Sequence, residues 1–256
     1  MTGWDRATLL SRPTDVFEPE ALTRLFSLVE ERARRRPVQH ITGTQAFWRH
    51  EFLVTGDVLI PRPETELLVE AGLEMLRGQP RPAVVDVGTG SGCIALSLAA
   101  ERPDAVVYAV DVSAAALVVA RENARRLGLL DRVVFHEGDL LEPVRSLVGS
   151  LSLVVSNPPY VDASEASSLE PEVREHEPAQ ALFPPGDRYS IYRRLAPAAA
   201  LALAPGGGLI MEVGCGMAEE VCRICESAGL SVSGVLPDLQ GIPRAVVART
   251  AARPTG

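Results

Sequence analysis

The sequence contains no lysine, and all 25 of its basic residues are arginine. The 33 acidic residues outnumber them, so the formal net charge is −8, and no basic tail is present. An acidic chain without a basic tail does not favour broad affinity for nucleic acid, and we expect no stable nucleic-acid binding. Without lysine, the chain also has no Gly-Lys-Ser/Thr phosphate-binding loop.

Long apolar runs and a secretory signal are missing as well. The longest apolar stretch, 196–205, is too short to cross a bilayer, which takes ~20 residues. The N-terminus lacks the charged, apolar and small-residue order of a signal peptide. The cysteines, Cys93, Cys215, Cys222 and Cys225, form no paired framework. These features predict a cytoplasmic protein without a membrane segment, and we expect a monomer.

The 256 residues, 46% of them apolar, suffice for one α/β domain and a small additional piece. Apolar residues at helical spacing over 22–33, followed by Pro37, predict a helix near the N-terminus. Short apolar runs with a turn at Gly56-Asp57 then predict a β-hairpin. We therefore expect a small helical domain, a hairpin linker and a main domain. Their predicted bounds are 1–42, 43–63 and 64–256.

The main domain alternates strand and helix after an opening helix that begins near residue 61. Apolar runs predict strands at 83–87, 105–110, 132–136, 151–156, 208–213, 230–235 and 244–248. Helical periodicity predicts helices at 92–101, 114–128, 189–203 and 217–228. This alternation is typical of a doubly wound α/β fold with a mostly parallel sheet of seven strands. The short connection before the final strand predicts that this strand is antiparallel.

The most informative motif is N-P-P-Y, formed by Asn157, Pro158, Pro159 and Tyr160 after a buried apolar run. It falls at the carboxyl edge of the sheet, where open α/β sheets bind ligands. The Asn157 side-chain oxygen and the Pro158 carbonyl can both accept hydrogen bonds from one NH2 group. Tyr160 can stack on the planar group that carries it. The alternative is a proline-rich turn after a strand.

A glycine-rich loop follows the first predicted strand of the main domain. Its residues are Asp86, Val87, Gly88, Thr89, Gly90, Ser91 and Gly92. Glycines allow a sharp turn and close approach of a ligand. The dinucleotide fingerprint would require glycine at position 93, where the chain has Cys93. A loop without a phosphate signature favours a nucleoside ligand that lacks a pyrophosphate, such as S-adenosylmethionine.

Acidic residues also end the next two predicted strands. Asp111 stands where an acid accepts hydrogen bonds from ribose hydroxyls. Asp139 could accept from the adenine amino group while Leu140 packs on the ring. Taken alone, each acid is better explained as a helix cap or a solvated loop residue. Because three acids, Asp86 included, stand at the carboxyl ends of three successive strands, we predict that they line a site for a cationic sulfonium cofactor.

Four other features have competing interpretations. Cys222 and Cys225 form C-x-x-C in a predicted helix, and we favour buried helix cysteines over a zinc site, so we expect no metal. His176 could be a base, but a solvated loop histidine is favoured. The acidic segment 161–188 could be a lid over the substrate. The arginines within 32–36 could touch ribosomal RNA or an acidic partner, with a solvated helix end as the default.

Taken together, the motifs resemble those of class I S-adenosylmethionine-dependent methyltransferases. The narrower resemblance is to the HemK/PrmC group, which methylates the side-chain nitrogen of a glutamine in peptide-chain release factors. The matching segments are 40–43 (H-I-T-G), 60–66 (I-P-R-P-E-T-E), 86–92, Asp111, 156–160, and the tail with Asp238, Leu239, Arg244 and Arg249. N-P-P-Y alone is shared with enzymes that act on DNA amino groups. Its joint presence with I-P-R-P-E-T-E is more specific to this group.

The resemblance implies S-adenosylmethionine as cofactor and release factors as protein partners, methylated at the glutamine of their Gly-Gly-Gln motif. The implied cofactor contacts are Gly88, Thr89, Gly90, Asp111, Leu140 and Asn157. The implied residues that hold the glutamine amide are Asn157, Pro158, Pro159 and Tyr160. The segment 61–66 would help close the site, with Arg62, Pro63 and Glu64 as substrate-binding residues. The recognition domain is expected to be shortened, with its opening helices absent.

Other functions fit parts of the sequence. A glutamine methyltransferase acting on a ribosomal protein would share the motifs. A DNA adenine methyltransferase would share N-P-P-Y, but the acidic charge and the lack of a basic target-recognition region count against it. A non-catalytic, cofactor-binding protein that modulates translation is disfavoured by the intact motifs.

The glutamine methylation that the resemblance implies would be a direct displacement of the methyl group. Because the amide proton can leave after the transfer, this mechanism requires no histidine or carboxylate base.

Overall fold

The computed structural model describes residues 6–11 and 18–252, so part of the predicted N-terminal domain lies outside the described residues. The helices are α1 (Arg6–Ser11), α2 (Pro19–Ala33), α3 (Val38–Thr42), α4 (Glu66–Met75), α5 (Cys93–Glu101), α6 (Ala114–Arg126), α7 (Pro171–His176), α8 (Ala179–Leu182), α9 (Ser190–Ala202) and α10 (Ala218–Ser227). The strands are β1 (Thr44–Phe47), β2 (His50–Leu53), β3 (Ala83–Val87), β4 (Val106–Asp111), β5 (Val133–Glu137), β6 (Leu151–Ser156), β7 (Leu203–Glu212), β8 (Ser231–Pro237) and β9 (Pro243–Arg249).

The main sheet has seven strands in the order β5-β4-β3-β6-β7-β9-β8. Neighbouring strands from β5 to β7 are parallel, and β9 runs antiparallel to both β7 and β8. The predictions of a doubly wound α/β fold and of an antiparallel final strand are therefore confirmed. Strand β7 begins at Leu203, earlier than predicted, because Leu203 pairs with Leu151 before an irregularity in the register.

The strand order places a binding crevice at one edge of the sheet. From β3 the chain moves outward through β4 to β5, then returns to β6 on the other side of β3 and continues to β7. The order therefore reverses between β3 and β6, and ligands of open α/β sheets bind beyond the carboxyl ends of the strands at such a point. The glycine-rich loop follows β3 and N-P-P-Y follows β6, so the two motifs share this crevice.

The two faces of the sheet are covered by different helices. On one face α4 and α5 pack with the β1–β2 hairpin, and on the other α9 and α10 contribute the buried side chains. Gly208 of β7 allows α4 to approach closely, since a Cβ there would lie 1.6 Å from the Met75 sulfur. In α5 every residue from Cys93 to Ala99 is buried, because this helix packs against α4 and against the strands β3, β4 and β5. No helix among residues 6–11 and 18–252 is long and apolar enough to span a membrane.

The hairpin prediction was right about the element but wrong about its turn. Residues Thr44–Phe47 pair with His50–Leu53, so the chain turns at Trp48, which has a φ of 54°. Gly56-Asp57 does form a turn, as predicted, but it lies beyond the hairpin, and residues 58–60 form no strand. Instead, Val58 packs with Val54 against α6. This packing brings the linker to the edge of the crevice.

Helix α2 forms where predicted, but its apolar residues are largely exposed. The exposed fractions of Leu25, Phe26 and Val29 are 40%, 62% and 53%. The helix is tied to the 161–188 segment instead, because Arg32 forms an ion pair with Glu172 at 2.8 Å and Arg35 pairs with the same carboxylate. These ion pairs lie within the chain, and contact of the arginines within 32–36 with ribosomal RNA or with an acidic partner stays a prediction.

Candidate active site

The glycine-rich loop uses its backbone donors within the protein. The N–H groups of Gly88 and Thr89 both donate to the Val110 carbonyl, at 2.8 and 3.0 Å. The Gly90 N–H donates to Asp111 Oδ2 at 2.8 Å. Because these three groups already have partners, the loop is no phosphate cradle, in contrast to loops whose free N–H groups hold phosphate. This geometry supports the prediction of a ligand without a pyrophosphate.

Asp86 lies beneath the loop and supports it from within. Its Oδ2 accepts hydrogen bonds from Thr89 Oγ1 at 2.6 Å and from the Ala95 N–H at 3.1 Å. The carboxyl is fully buried, and this burial raises its pKa to about 7. Asp86 does not line the crevice, so its role there is to hold Thr89, and its predicted contact with a cofactor stays a prediction.

Gly92 also lies behind the crevice, at the start of α5. Its φ of 83° is left-handed, and a Cβ would lie 3.0 Å from Leu96 and 3.3 Å from Ala120. Any other residue would therefore be strained and would push α5 away from α6. Glycine at this position serves helix packing, and direct ligand contact by Gly92 stays a prediction.

Asp111 connects the glycine-rich loop to the loop between β4 and α6. Its Oδ2 accepts from the Gly90 N–H, and its Oδ1 accepts from the Ser113 N–H at 2.9 Å. The N-terminal cap of α6 is Ser113, which accepts from the Ala116 N–H, so Asp111 is not the helix cap. Burial raises its pKa above the ordinary range of a carboxyl. Each oxygen accepts one of these hydrogen bonds and can accept another, and Asp111 lines the crevice, which suits the acceptance of hydrogen bonds from hydroxyl groups.

Asp139 and Leu140 line the crevice near its outer edge. The Asp139 carboxylate forms an ion pair with Arg194 of α9. A ligand amino group would therefore have to share this carboxylate with a guanidinium. Leu140 has a φ of 50°, an uncommon value for a side chain of this size, and its backbone turn directs the chain along the crevice wall.

The N-P-P-Y loop is fixed at its first residue. Ser156 Oγ donates to the Val87 carbonyl at 2.7 Å, which ties the end of β6 to the end of β3. Asn157 Nδ2 donates to Thr65 Oγ1 at 3.1 Å. Within the described residues, neither Asn157 Oδ1 nor the Pro158 carbonyl accepts a hydrogen bond. Two acceptors without partners thus lie together beside the glycine-rich loop.

A buried carboxylate at the end of β7 completes this arrangement. Glu212 Oε2 accepts from Thr65 Oγ1 at 2.6 Å, and Oε1 lies 3.5 Å from the Tyr160 hydroxyl. Only 2% of Glu212 is exposed, and burial raises its pKa to about 7. Sequence reasoning missed Glu212, and it included Thr65 only as part of the 61–66 segment, without a role of its own. The available signal was one acid within the apolar run of a predicted strand, Leu209 to Val213.

Tyr160 lies one layer behind the crevice wall. A Cβ on Gly214 would lie 2.9 Å from its ring, so the ring packs against the backbone after β7. Burial, with the nearby charge of Glu212, raises the pKa of its hydroxyl above the ordinary value. Tyr160 is not among the residues that line the crevice, and its predicted stacking on a substrate amide stays a prediction.

The segment that begins at Pro61 divides between the crevice and the surface. Arg62 lines the crevice and donates to Glu177, whose other carboxylate oxygen accepts from the Ile60 N–H at 3.1 Å. Pro63 and Glu64 do not line the crevice, although the next residue, Thr65, does. Substrate contacts by Pro63 and Glu64 stay predictions.

The crevice has a volume of about 450 Å³, within the range of small-molecule sites, which is ~300–1,000 Å³. Its walls are mostly apolar, and polar groups converge at the strand ends. Predicted site residues that line it are Arg62, Val87, Gly88, Thr89, Gly90, Asp111, Asp139, Leu140, Asn157, Pro158 and Pro159. The 161–188 segment contributes further lining residues, namely Pro178, Gln180, Ala181 and Pro185.

Two of the remaining candidates lie elsewhere. His176 does not line the crevice. Cys225 is buried in α10, where burial raises the pKa of its thiol to about 12, and Cys222 is half-buried. Across 6–11 and 18–252, no three His, Cys, Asp or Glu side chains are grouped so that they could hold a metal ion.

Comparison with known proteins places the chain in a family. The model of the methyltransferase small domain matches residues 64–198, and that of the PrmC N-terminal domain matches 1–43. A release factor glutamine methyltransferase of Cereibacter sphaeroides is 45% identical, over 96% of this chain and 86% of that protein. One of Geobacter sulfurreducens is 43% identical, over 96% of this chain and 85% of that protein.

A solved structure shares the fold. The ribosomal protein L11 methylase of Lactobacillus delbrueckii subsp. bulgaricus superposes with a TM-score of 0.52, at 21% identity, over 74% of this chain and 80% of that one. This likeness concerns the fold alone. The relatives, by contrast, are more than 40% identical in sequence over nearly the whole chain, and this shows the family: the chain belongs to the release factor glutamine methyltransferase family.

Proposed function

We propose that the protein transfers a methyl group from S-adenosylmethionine to the side-chain amide nitrogen of a glutamine in a peptide-chain release factor. The observation that carries this proposal is a pair of acceptors that have no partner in the described part of the chain, Asn157 Oδ1 and the Pro158 carbonyl, on the wall of a crevice shared with the glycine-rich loop. An NH2 group has two hydrogens, and two adjacent acceptors match it.

The crevice fits a nucleoside cofactor with a positive charge. Its volume of about 450 Å³ is adequate, and its apolar walls suit an adenine ring beside Leu140. Asp111 keeps free lone pairs for ribose hydroxyls, and the occupied N–H groups of the loop argue against a phosphate ligand. Of the predicted acids, Asp111 and Asp139 line the crevice, and the Asp111 carboxylate, which no cation pairs with among the described residues, favours a cationic sulfonium.

The residues after β6 would act by holding the amide. When bound, S-adenosylmethionine would supply an electrophilic methyl group, whose bond to sulfur breaks as the bond to the amide nitrogen forms. Asn157 Oδ1 and the Pro158 carbonyl would accept the two amide hydrogens and hold the nitrogen in line with that methyl. They would also stabilise the positive charge that develops on nitrogen. One amide proton would then leave to solvent, so the chain need not provide a base.

The release factor as substrate follows from the named activity of the relatives, and the glutamine of a Gly-Gly-Gln motif is the proposed acceptor. The acceptors Asn157 and Pro158 line the crevice together with Arg62 and residues of the 161–188 segment, so a side-chain amide that enters the crevice meets them there. We further propose that the enzyme acts as a monomer in the cytoplasm and binds no nucleic acid stably.

Mass spectrometry of a release factor incubated with the protein and S-adenosylmethionine tests the function. We expect one added methyl group on the glutamine of the Gly-Gly-Gln motif. A factor with that glutamine changed to alanine is the control and should gain none. Cofactor binding without methylation of the factor would contradict the release-factor substrate, and methylation of the alanine control would contradict the acceptor residue.

A further inference from the structure

We propose that Thr65 and Glu212 are positioning residues that set the orientation of the Asn157 side-chain amide, so that its oxygen and not its NH2 group faces the substrate. The proposal rests on the proposed function, because the oxygen matters only if the substrate offers amide hydrogens. The shape of the Asn157 side chain does not fix this orientation, since the Oδ1 and Nδ2 ends of its amide are nearly identical in shape.

The direction of the hydrogen bonds decides the orientation. An ionised carboxylate only accepts hydrogen bonds, so Glu212 requires Thr65 to donate its hydroxyl hydrogen, across 2.6 Å. Thr65 has no second hydrogen on that oxygen, and it can only accept from Asn157. The Asn157 group 3.1 Å away must therefore be Nδ2, and Oδ1 points into the crevice.

The groups involved are fixed by the fold. Thr65 is 2% exposed and Glu212 is also 2% exposed, so water does not compete for these hydrogen bonds. The backbone of Glu212 is held in β7, and its carbonyl accepts from the Tyr192 hydroxyl at 2.8 Å. A rigid support of this kind is what a site needs if an acceptor must be oriented before the substrate arrives.

Protonation of Glu212 would reverse the chain of hydrogen bonds. A protonated carboxyl can donate to Thr65, which can then donate to Asn157 Oδ1 and turn the NH2 group toward the substrate. Burial raises the pKa of Glu212 to about 7, with Glu64 raising it further and Arg244 opposing. The titratable and charged groups that face it are Glu64 of the turn before α4, Cys93 of α5, Tyr160 of the loop after β6, Tyr192 of α9 and Arg244 of β9.

The first test is Thr65→Val, which keeps the shape and removes the hydroxyl. We expect kcat for glutamine methylation to fall ~10- to 100-fold while the Kd for S-adenosylmethionine stays within about threefold. Thr65→Ser, which restores the hydroxyl, should recover most of the rate. Thr250→Val is the matched control, because the Thr250 hydroxyl donates to the Ala204 carbonyl away from the crevice. Its kcat should equal that of the wild type.

The pH dependence of kcat distinguishes a changed orientation of the Asn157 amide from a general loss of folded structure. In the wild type kcat should fall as the pH drops through the pKa of Glu212, and the Glu212→Gln variant should be slow but should lose this limb of the profile. A wild-type profile that stays flat through that range would overturn the proposal. So would a Thr65→Val variant, folded and cofactor-bound, with a wild-type rate.

A spectroscopic readout keeps this test independent of the release factor. The side-chain NH2 of Asn157 gives a pair of 1H–15N cross-peaks, which Asn157→Asp identifies by their loss. We expect the pair to move in Thr65→Val and Glu212→Gln and to stay in Thr250→Val. An unmoved pair would overturn the proposal. If the pair moves but the wild type methylates no release factor, the orientation stands and the substrate assignment fails.

Discussion

Each side of the crevice contains a threonine that donates a hydrogen bond to a buried carboxylate, but the two pairs serve different purposes. On the proposed cofactor side, at the loop after β3, Thr89 donates to the buried carboxylate of Asp86 at 2.6 Å, and on the proposed amide side, at the loop after β6, Thr65 donates to Glu212 at 2.6 Å. Burial raises the pKa of both carboxyls to about 7. The partners are 3 residues apart in the first pair and 147 apart in the second.

The difference lies in what each pair holds. The pair of Asp86 and Thr89 shapes one loop, since Asp86 also accepts from the Ala95 N–H at the start of α5. The pair of Thr65 and Glu212 joins a turn before α4 to the end of β7 and reaches Asn157 between them. A local pair can build a binding loop, whereas a long-range pair can orient a reacting group against several elements at once.

The largest expected effect comes from Asn157→Ala, which removes the Oδ1 acceptor after β6 and leaves the glycine-rich loop after β3 unchanged. Loss of one group that stabilises developing charge costs ~10²- to 10³-fold in kcat. We expect a loss at least that large for glutamine methylation, with cofactor binding largely retained by calorimetry. A variant with the wild-type rate would refute the assignment of Asn157.

The converse variant, Asp111→Ala, removes a carboxylate from the cofactor side. Hydrogen bonds to charged groups contribute ~1.5–3 kcal/mol, so we expect the Kd for S-adenosylmethionine to rise ~10- to 100-fold. At saturating cofactor, kcat should fall much less than in Asn157→Ala. Unchanged cofactor affinity in a folded variant would show that Asp111 serves only the loop, through Gly90 and Ser113.

Thr89→Val tests the local pair. It leaves Asp86 Oδ2 with the Ala95 N–H as its remaining donor, and an incompletely satisfied buried group costs ~1–3 kcal/mol. We expect the free energy of unfolding to fall by about this amount and the KM for the cofactor to rise. Comparison with Thr65→Val is decisive, because that variant should lower kcat instead. Equal kinetic effects in both variants would remove the distinction between the two pairs.

The smallest effect is a slope in stability against pH. Asp86 and Glu212 have folded pKa values of about 7, above their unfolded values of 3.8 and 4.5. The folded state therefore holds more protons between those values, and the free energy of unfolding should decrease as pH rises from about 4 to about 7, by up to ~1.4 kcal/mol per pH unit for each group. Asp104 and Glu122, with pKa values lowered to about 2, act below this window.

Chemical denaturation across that window measures the slope. Asp86→Asn and Glu212→Gln should each flatten it, because an amide does not titrate there. A slope that is unchanged in both variants would contradict the raised pKa values.

Prediction from sequence succeeded where the signal was local. Apolar runs identified the strands of the main sheet, because a strand buried on both faces is apolar along its length. The hairpin shows the limit of this approach: Gly56-Asp57 forms a turn as predicted, yet the hairpin itself turns earlier, at Trp48, and Val58 packs with Val54 against α6 without entering a strand. The exposed apolar side of α2 could not be foreseen either, since periodicity indicates a helix but not what covers it.

The sequence by itself determined the chemistry of the crevice edge. The glycine-rich loop, Asp111 and N-P-P-Y each follow a strand, and the carboxyl ends of parallel strands meet at one edge. The tertiary structure alone decided that Thr65 and Glu212 meet beside Asn157, because contacts between residues so far apart in the chain depend on how β6, β7 and the turn before α4 pack. For the same reason only the structure separated the residues that line the crevice from Asp86, Gly92 and Tyr160, which support it from behind.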